Sequence, residues 1–260
     1  MMKNITIIVP VHEYTDELSK FYQNALSSVP SNDENYSVTV VGPKAVLKEY
    51  EKIQITYEGR INFLENEVSD FCSQINAAAK SCQTDYFSIL EVDDSYTKIW
   101  FKNVQEHLEA LQDVSVFLPV TEVYDLSSGE KVPVGLANEI GLSAAYSDNI
   151  GYLSIDALKD YSDFNLTGSV FKTTDFVTVG GLKPSIKIAF WTEFLLRALN
   201  NSKKAYIIPK IGYQHGMNRK GSLVEKYSGL SEEEVKWYLD LAQKEYFFKE
   251  DRKKTFSPKN

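Results

Sequence analysis

From Asn4 to Val92 the chain alternates strand-forming with helix-forming segments, and that alternation restricts the folds open to it more than any other feature. "NITIIVPV", Asn4 to Val11, is a continuous β-branched run of the kind that parallel strands buried on both faces carry. Pro10 ends it, and "EYTDELSKFYQNAL" follows with apolar residues at helical spacing. "YSVTVVG", Tyr36 to Gly42, ends in a Gly-Pro turn signal before the short helical pattern "AVLKEYEKI". "INFLEN", Ile61 to Asn66, precedes "VSDFCSQINAAAKSC", an Ala-rich helix, and "YFSILEV" returns to strand. Alternation of this kind predicts an α/β fold with a mostly parallel sheet flanked by helices. Ligands of such sheets bind beyond the carboxyl ends of the strands.

At 260 residues with 43% hydrophobic and 25% charged residues, the chain is long enough to bury a sizeable core, as one α/β domain or a domain with an appendage. A net charge of −8 argues against a broad nucleic-acid footprint, which needs Lys and Arg to neutralise phosphates, so no nucleic-acid partner is expected. The apolar runs fall short of the ~20 residues that span a bilayer, and no N-terminal signal pattern is present. Cys72 and Cys82 lack zinc-type spacing and read as reduced packing residues. A soluble, cytoplasmic protein is expected.

The fourth strand runs directly into Glu91, Asp93 and Asp94, three carboxylates within four positions. Like charges this close raise one another's pKa unless a cation or solvent intervenes. Mn²⁺ or Mg²⁺ suits such a set, because both favour a few carboxylates completed by the oxygens of a substrate phosphate. A solvated acidic turn is the plainer alternative.

Further along, Glu122 to Asn149 reads as a long polar stretch of the kind that is functional or mobile. "VGGLK" supplies Gly180, Gly181 and Lys183, either for close backbone approach to a ligand or for a tight turn. In the apolar helix "AFWTEFLLRALNN", Glu193 is the single acidic residue, readable as a general base or as the i,i+4 partner of Arg197. "YQHGMNRKGS" gathers His215, Arg219, Lys220 and Ser222 in a loop able to close over a diphosphate, with the imidazole as a metal ligand; an ordinary basic surface loop is the alternative. His12 follows the first strand and would line the same edge, whereas His107 reads as surface or packing. Ser231 and Glu234 form a capping box that opens a terminal amphipathic helix with Val235, Tyr238, Leu239, Ala242 and Tyr246 on its apolar face. The basic run Arg252 to Lys254 ends that helix, whose apolar face either packs on the domain or touches a membrane surface weakly.

Taken in order, these pieces resemble the GT-A fold, family-2-like nucleotide-sugar glycosyltransferases. "ITIIVPVHEYTDEL" is similar to the family's first strand and nucleotide loop, "INFLENEVSDFCSQINAAAKS" to its third strand and Asn-containing helix, "FSILEVDD" to its metal-binding acidic motif, and "GSVFKTTDFVTVGGLK" to its acceptor-side strand and Gly-Gly turn. The resemblance covers about residues 4 to 222 and implies a catalytic domain over residues 1–222 with a helical extension over 223–260. It implies that Pro10, Val11 and Glu13 line the nucleotide pocket and that Asn76 supports it. Asp93 would hold the metal, Glu91 would contact ribose or metal, and His215, Arg219 and Lys220 would belong to the closing segment.

The implied activity moves a sugar from a nucleotide diphosphate donor to a carbohydrate or other hydroxyl acceptor, with inversion and, since the Gln-x-x-Arg-Trp signature is absent, without processivity, Glu193 or Asp94 being the candidate catalytic carboxylate. The sequence departs from the pattern in three places: "VVGPK" stands where an Asp-rich turn reads the base, Glu91 opens the acidic motif, and Phe190 and Trp191 occupy the positions of the catalytic Glu-Asp pair. The lost pair keeps a catalytically silent nucleotide or sugar-binding module open as a second reading. A nucleotidyltransferase is a third, disfavoured because "PVHEYTDEL" is acidic and lacks Gly.

Overall fold

A computed structural model of the protein describes residues 2–31, 33–53, 57–68, 70–146, 149–220, 222 and 229–255, with side chains up to residue 243. The elements in chain order are β1 (Ile5–Pro10), α1 (Asp16–Ser27), β2 (Tyr36–Gly42), α2 (Lys44–Tyr50), β3 (Arg60–Glu65), α3 (Phe71–Ser81), β4 (Tyr86–Ile89), β5 (Ser95–Tyr96) and α4 (Trp100–Ala110). They continue as β6 (Val116–Asp125), β7 (Val132–Ala137), a 3-10 turn (Glu139–Leu142), α5 (Ile155–Asp160), β8 (Val170–Lys172), α6 (Thr173–Thr178), α7 (Phe190–Asn200), β9 (Ala205–Met217) and α8 (Glu232–Thr255).

One mixed sheet, nine-stranded among the described residues, organises the molecule in the order β3-β2-β1-β4-β8-β6-β9-β5, with β7 paired to β6. Its first four strands are parallel, as the alternation predicts. Every residue of β1 is buried because both sheet faces are covered. Ile5, Ile7 and Val9 pack with Tyr22, Leu26, Trp100 and Val104 on one side, while Ile8 joins Phe87, Ile75, Phe171 and Phe194 on the other. Helix starts are set locally: the Thr15 hydroxyl accepts the Leu18 N–H at 3.1 Å, and the Asp70 carboxylate accepts that of Ser73 at 2.8 Å.

Two expectations are corrected. The stretch from Glu122 to Asn149 is no single long loop, because β6 continues to Asp125 and returns through β7 as an antiparallel hairpin. Asp125 closes the connection by accepting the Ser127 N–H at 2.7 Å, and Gly129 supplies the left-handed φ of 82° that the turn requires. His215 lies on a strand, not in a loop: β9 runs through "GYQHGM" beside β6. Gly212 survives inside that strand because the Trp100 indole covers it, and a Cβ there would lie 2.2 Å from the ring.

The capping box forms as read, with the Ser231 N–H donating to Glu234 at 2.9 Å. Among the described side chains of α8, the face read from the spacing is divided: Val235 and Tyr238 are half-buried and Ala242 is buried, while Leu239 is 38% exposed. Ala242 is buried against Ile186 and Ala189, with Tyr238 and Phe190 beside them, while Trp237 and Leu241 point outward at 56% and 40% exposure. The side chains of Tyr246 and of Arg252 to Lys254, and the proposed boundary at residues 223–228, lie outside the described residues. No helix among the described residues is long and apolar enough to cross a membrane.

Candidate functional site

A cleft enclosing about 690 Å³, space open to solvent included, lies at the carboxyl ends of β1 and β4 and the far end of β9. Its wall includes Pro10, Val11 and Glu13 from the loop after β1, Glu91 and Asp93 from the turn after β4, and His215 and Arg219 from β9 and the segment beyond it. His12 and Tyr50 also contribute to the wall.

The acidic turn is shaped by backbone geometry. Strand β4 stops at Ile89, the Asp94 N–H returns to the Glu91 carbonyl at 3.2 Å, and the Glu91 N–H donates to the Tyr213 hydroxyl at 3.1 Å. The two-residue strand β5 then pairs antiparallel with β9, matching Ser95 to Gln214, which sets Asp94 beside His215 and Gly216. Asp94 is fully buried, its Oδ2 meeting His215 Nδ1 at 3.0 Å and its Oδ1 accepting the Gly216 N–H at 2.8 Å. Asp93 pairs with Arg219, whose Nε donates to Oδ2 at 2.6 Å. Asp93 thus turns to Arg219, while the Glu91 and Asp94 carboxylates stay close to each other beside His215.

The electrostatics follow. Burial, then Asp94, pushes the Glu91 carboxyl well above the usual carboxylate range, and the same two causes raise Asp93. For His215, burial works against the charged ring, but Asp94, by charge and hydrogen bond, followed by Glu91 and Asp93, overcomes it and raises the imidazole to about 10. Ligand atoms of Glu91, Asp94 and His215 all lie within 4.8 Å of one another. Carboxylate oxygens with one imidazole fit a divalent cation of the Mn²⁺ type, so these residues suit the metal that the sequence leads one to expect.

Other candidates sit elsewhere. Asn76 is not among the described residues of the cleft wall; its amide donates to the Leu182 carbonyl and accepts the Leu182 N–H, both at 2.7 Å. It braces the Gly-Gly turn, where Gly180 and Gly181 have φ of 98° and 66° and a Cβ on Gly181 would lie 2.3 Å from Asn76 Oδ1. Lys220 is exposed, and its carbonyl accepts from Arg219. Glu193 is 2% exposed and takes a bidentate pair from Arg197 at 2.9 and 2.8 Å, with Lys183 also at 2.8 Å. Arg197 further donates to the carbonyls of Val179 and Gly181. Phe190 and Trp191 turn toward Phe71, their ring centroids 5.5 and 5.8 Å away.

Sequence reasoning missed Gln74. Buried in α3, it donates from Nε2 to the Val11 carbonyl at 3.0 Å and so fixes the loop that forms one wall of the cleft. Its polarity on the buried face of a helix was the available signal.

An acidic turn faces the end of β9 and Arg219 just beyond it across the carboxyl edge of a parallel sheet, and sheet and site together define an α/β protein with a polar, charged cleft at that edge. Residues 6–139, just over half the chain, match the family model described as Glycosyl transferase family 2, and the chain belongs to that family. The solved structures show the same GT-A fold. S. aureus TarS 1-349 in complex with UDP-GlcNAc matches at a TM-score of 0.64 and 15% identity, over 92% of this chain and 65% of that one. The mannosyltransferase PcManGT from Pyrobaculum calidifontis, in complex with GDP-Man and Mn²⁺, matches at 0.61 and 12%, over 85% and 59%. The chain therefore spans less than two thirds of either structure's length. No curated protein matches its sequence.

Proposed function

We propose that the cleft binds the diphosphate of a nucleotide-sugar donor together with Mn²⁺ or Mg²⁺, and that the chain transfers the sugar to an acceptor hydroxyl on a carbohydrate or similar molecule. The observation that carries this reading is the convergence of Glu91, Asp93, His215 and Arg219 on the one cleft beside the β1 loop. Family membership supports it, as do neighbours whose structures hold UDP-GlcNAc or GDP-Man with Mn²⁺. A bound cation would supply charge neutralisation for a departing diphosphate.

The chain's own residues divide the work. Glu91 and His215 offer the ligand atoms nearest the cleft, with Asp93 beside them. Arg219 pairs with Asp93 and is placed to exchange that carboxylate for a phosphate oxygen, a charge-assisted bond of equal quality. Pro10, Val11 and Glu13 frame the nucleoside, with Val11 held by Gln74. Free thiols at the buried Cys72 and the half-buried Cys82 suit a reducing, cytoplasmic setting.

One observation favours a second reading, donor binding without transfer. Both oxygens of Glu193 are engaged by Arg197, and aromatic rings occupy the two positions where the family carries its carboxylate pair. Calorimetry with UDP and GDP plus Mn²⁺, beside an assay for nucleoside diphosphate released from UDP- and GDP-sugars, separates the two. Binding with metal-dependent release is expected. Binding without release on any donor and acceptor tested would establish the silent module, and no binding would remove both readings.

A further inference from the structure

We propose that Asp94 is the positioning residue of this site: it fixes the His215 ring through Nδ1, so that Nε2 is the nitrogen offered to a divalent cation, and it is not a ligand itself. The inference rests on the reading of the cleft as a cation and nucleotide site.

Sheet register creates the arrangement. Pairing of Ser95 with Gln214 and of Tyr96 with Tyr213 leaves Asp94 at the next step, alongside His215 and the Gly216 amide. The tight return from Asp94 N–H to Glu91 carbonyl sends the neighbouring carboxylates of Glu91 and Asp93 into the cleft wall, while Asp94 is absent from the described wall. Its side chain has no exposed surface, and each oxygen already accepts a hydrogen bond, one from the ring and one from the backbone. Gly216 itself is held against Leu126, where a Cβ would lie 2.5 Å from that side chain. A carboxylate on one nitrogen of a ligating imidazole fixes ring orientation and decides which nitrogen meets the metal. The close grouping of Glu91, Asp94 and His215, whose ligand atoms lie within 4.8 Å of one another, is therefore that of two ligands, Glu91 and His215, with the support of one of them, and Asp93 stands beside them in the cleft wall.

The test is a double-mutant cycle on the full chain, with Mn²⁺ affinity read from the free-ion electron paramagnetic resonance signal and folding checked by thermal melting. Asp94→Asn should weaken Mn²⁺ binding about 10–100-fold, and His215→Ala by a similar factor. The double variant should bind no worse than His215→Ala alone, because Asp94 acts through the ring. Losses that multiply, or an Asp94→Asn protein that binds Mn²⁺ like wild type, overturn the proposal while leaving the cation site in place. No Mn²⁺ binding by wild type would remove the site and the proposal together. Should Asp94→Asn fail to fold, nitrogen-15 spectra of the histidines in the wild-type protein loaded with diamagnetic Zn²⁺, assigned by difference with His215→Ala, decide the matter: a hydrogen retained on Nδ1 of His215 with the metal-shifted resonance on Nε2 is expected, and metal on Nδ1 overturns it.

Discussion

Glu193→Gln separates a structural from a catalytic carboxylate with one change of size-conserving chemistry. The wild-type side chain is 2% exposed, accepts two bonds from an Arg197 that is itself 8% exposed, and pairs with Lys183 at 2.8 Å. Removing one partner of a buried pair costs about 3–5 kcal/mol, because the remaining charge stays buried without compensation. Gln keeps one acceptor for Arg197, and the carbonyls of Val179 and Gly181 keep their bonds, so the loss belongs near the low end, about 3 kcal/mol. For a chain of this size each kcal/mol shifts the melting temperature by roughly 2–4 °C, which predicts a drop of roughly 6–12 °C. Affinity for UDP with Mn²⁺ and turnover per folded molecule should stay within a few-fold of wild type. A melting temperature within about 2 °C of wild type together with a turnover loss of ~100-fold or more would refute the reasoning and return Glu193 to the role of base.

Three further outcomes are expected. Arg219→Ala should weaken nucleoside diphosphate binding by about tenfold or more, the worth of a charge-assisted hydrogen bond of ~1.5–3 kcal/mol, and unchanged calorimetric affinity would separate Arg219 from the phosphates. Gln74→Leu strips the Val11 carbonyl of its donor but also removes an Oε1 that is buried without a partner, so stability should fall by only about 1 kcal/mol while nucleotide affinity declines; equal affinity in a thermal-shift titration would deny Gln74 its hold on the nucleotide loop. Burial raises the Cys72 thiol to about 12 and the Cys82 thiol to about 11, leaving well under ~1% thiolate at pH 8, so iodoacetamide should label neither in the native protein and both in denaturant, with mass spectrometry as the readout. Rapid native labelling would contradict that burial.

Much of the parallel half of the sheet was legible because each of its elements is specified locally. Tyr36 to Gly42 is a strand with the bounds read from its β-branched run, since both faces are buried and a Gly-Pro signal stops it. The acidic turn falls at a strand end for the same reason. What sequence could not show depends on partners distant in the chain. Two glycines in "GYQHGM" signal a loop in isolation, yet Trp100 over Gly212 and the Asp94 carboxylate on the Gly216 N–H keep the segment extended. The β7 strand is hidden by Pro133 and Gly135, and it forms because β6 presents an edge to it. Glu193 illustrates the limit for the site: i,i+4 spacing allowed the pair with Arg197, and only tertiary packing shows that the carboxylate is sealed inside it.

Three carboxylates in four positions pose a problem of repulsion, and the protein meets it for two of them with basic partners drawn from the end of β9 and the residues beyond it. Asp94 turns inward to His215, and Asp93 turns to Arg219. Glu91 has no ion pair among the described residues and is the group whose carboxyl burial and Asp94 drive upward. Two of the three carboxylates are therefore met by basic side chains that the chain supplies from one strand and the residues just beyond it. That balance makes ligand entry an exchange and not a simple filling of space: a metal-bound diphosphate brings both a cation that competes for Asp93 and phosphate oxygens that compete for Arg219. Each component alone would leave one member of the Asp93–Arg219 pair without its partner, whereas the two together satisfy both. Nucleoside diphosphate and Mn²⁺ should accordingly bind with positive coupling, each tightening the other by the same factor, as linkage requires. Calorimetric titration of UDP with and without Mn²⁺, and of Mn²⁺ with and without UDP, measures that factor directly. Independent binding of the two would show that the Asp93–Arg219 pair stays closed and that the diphosphate sits elsewhere in the cleft.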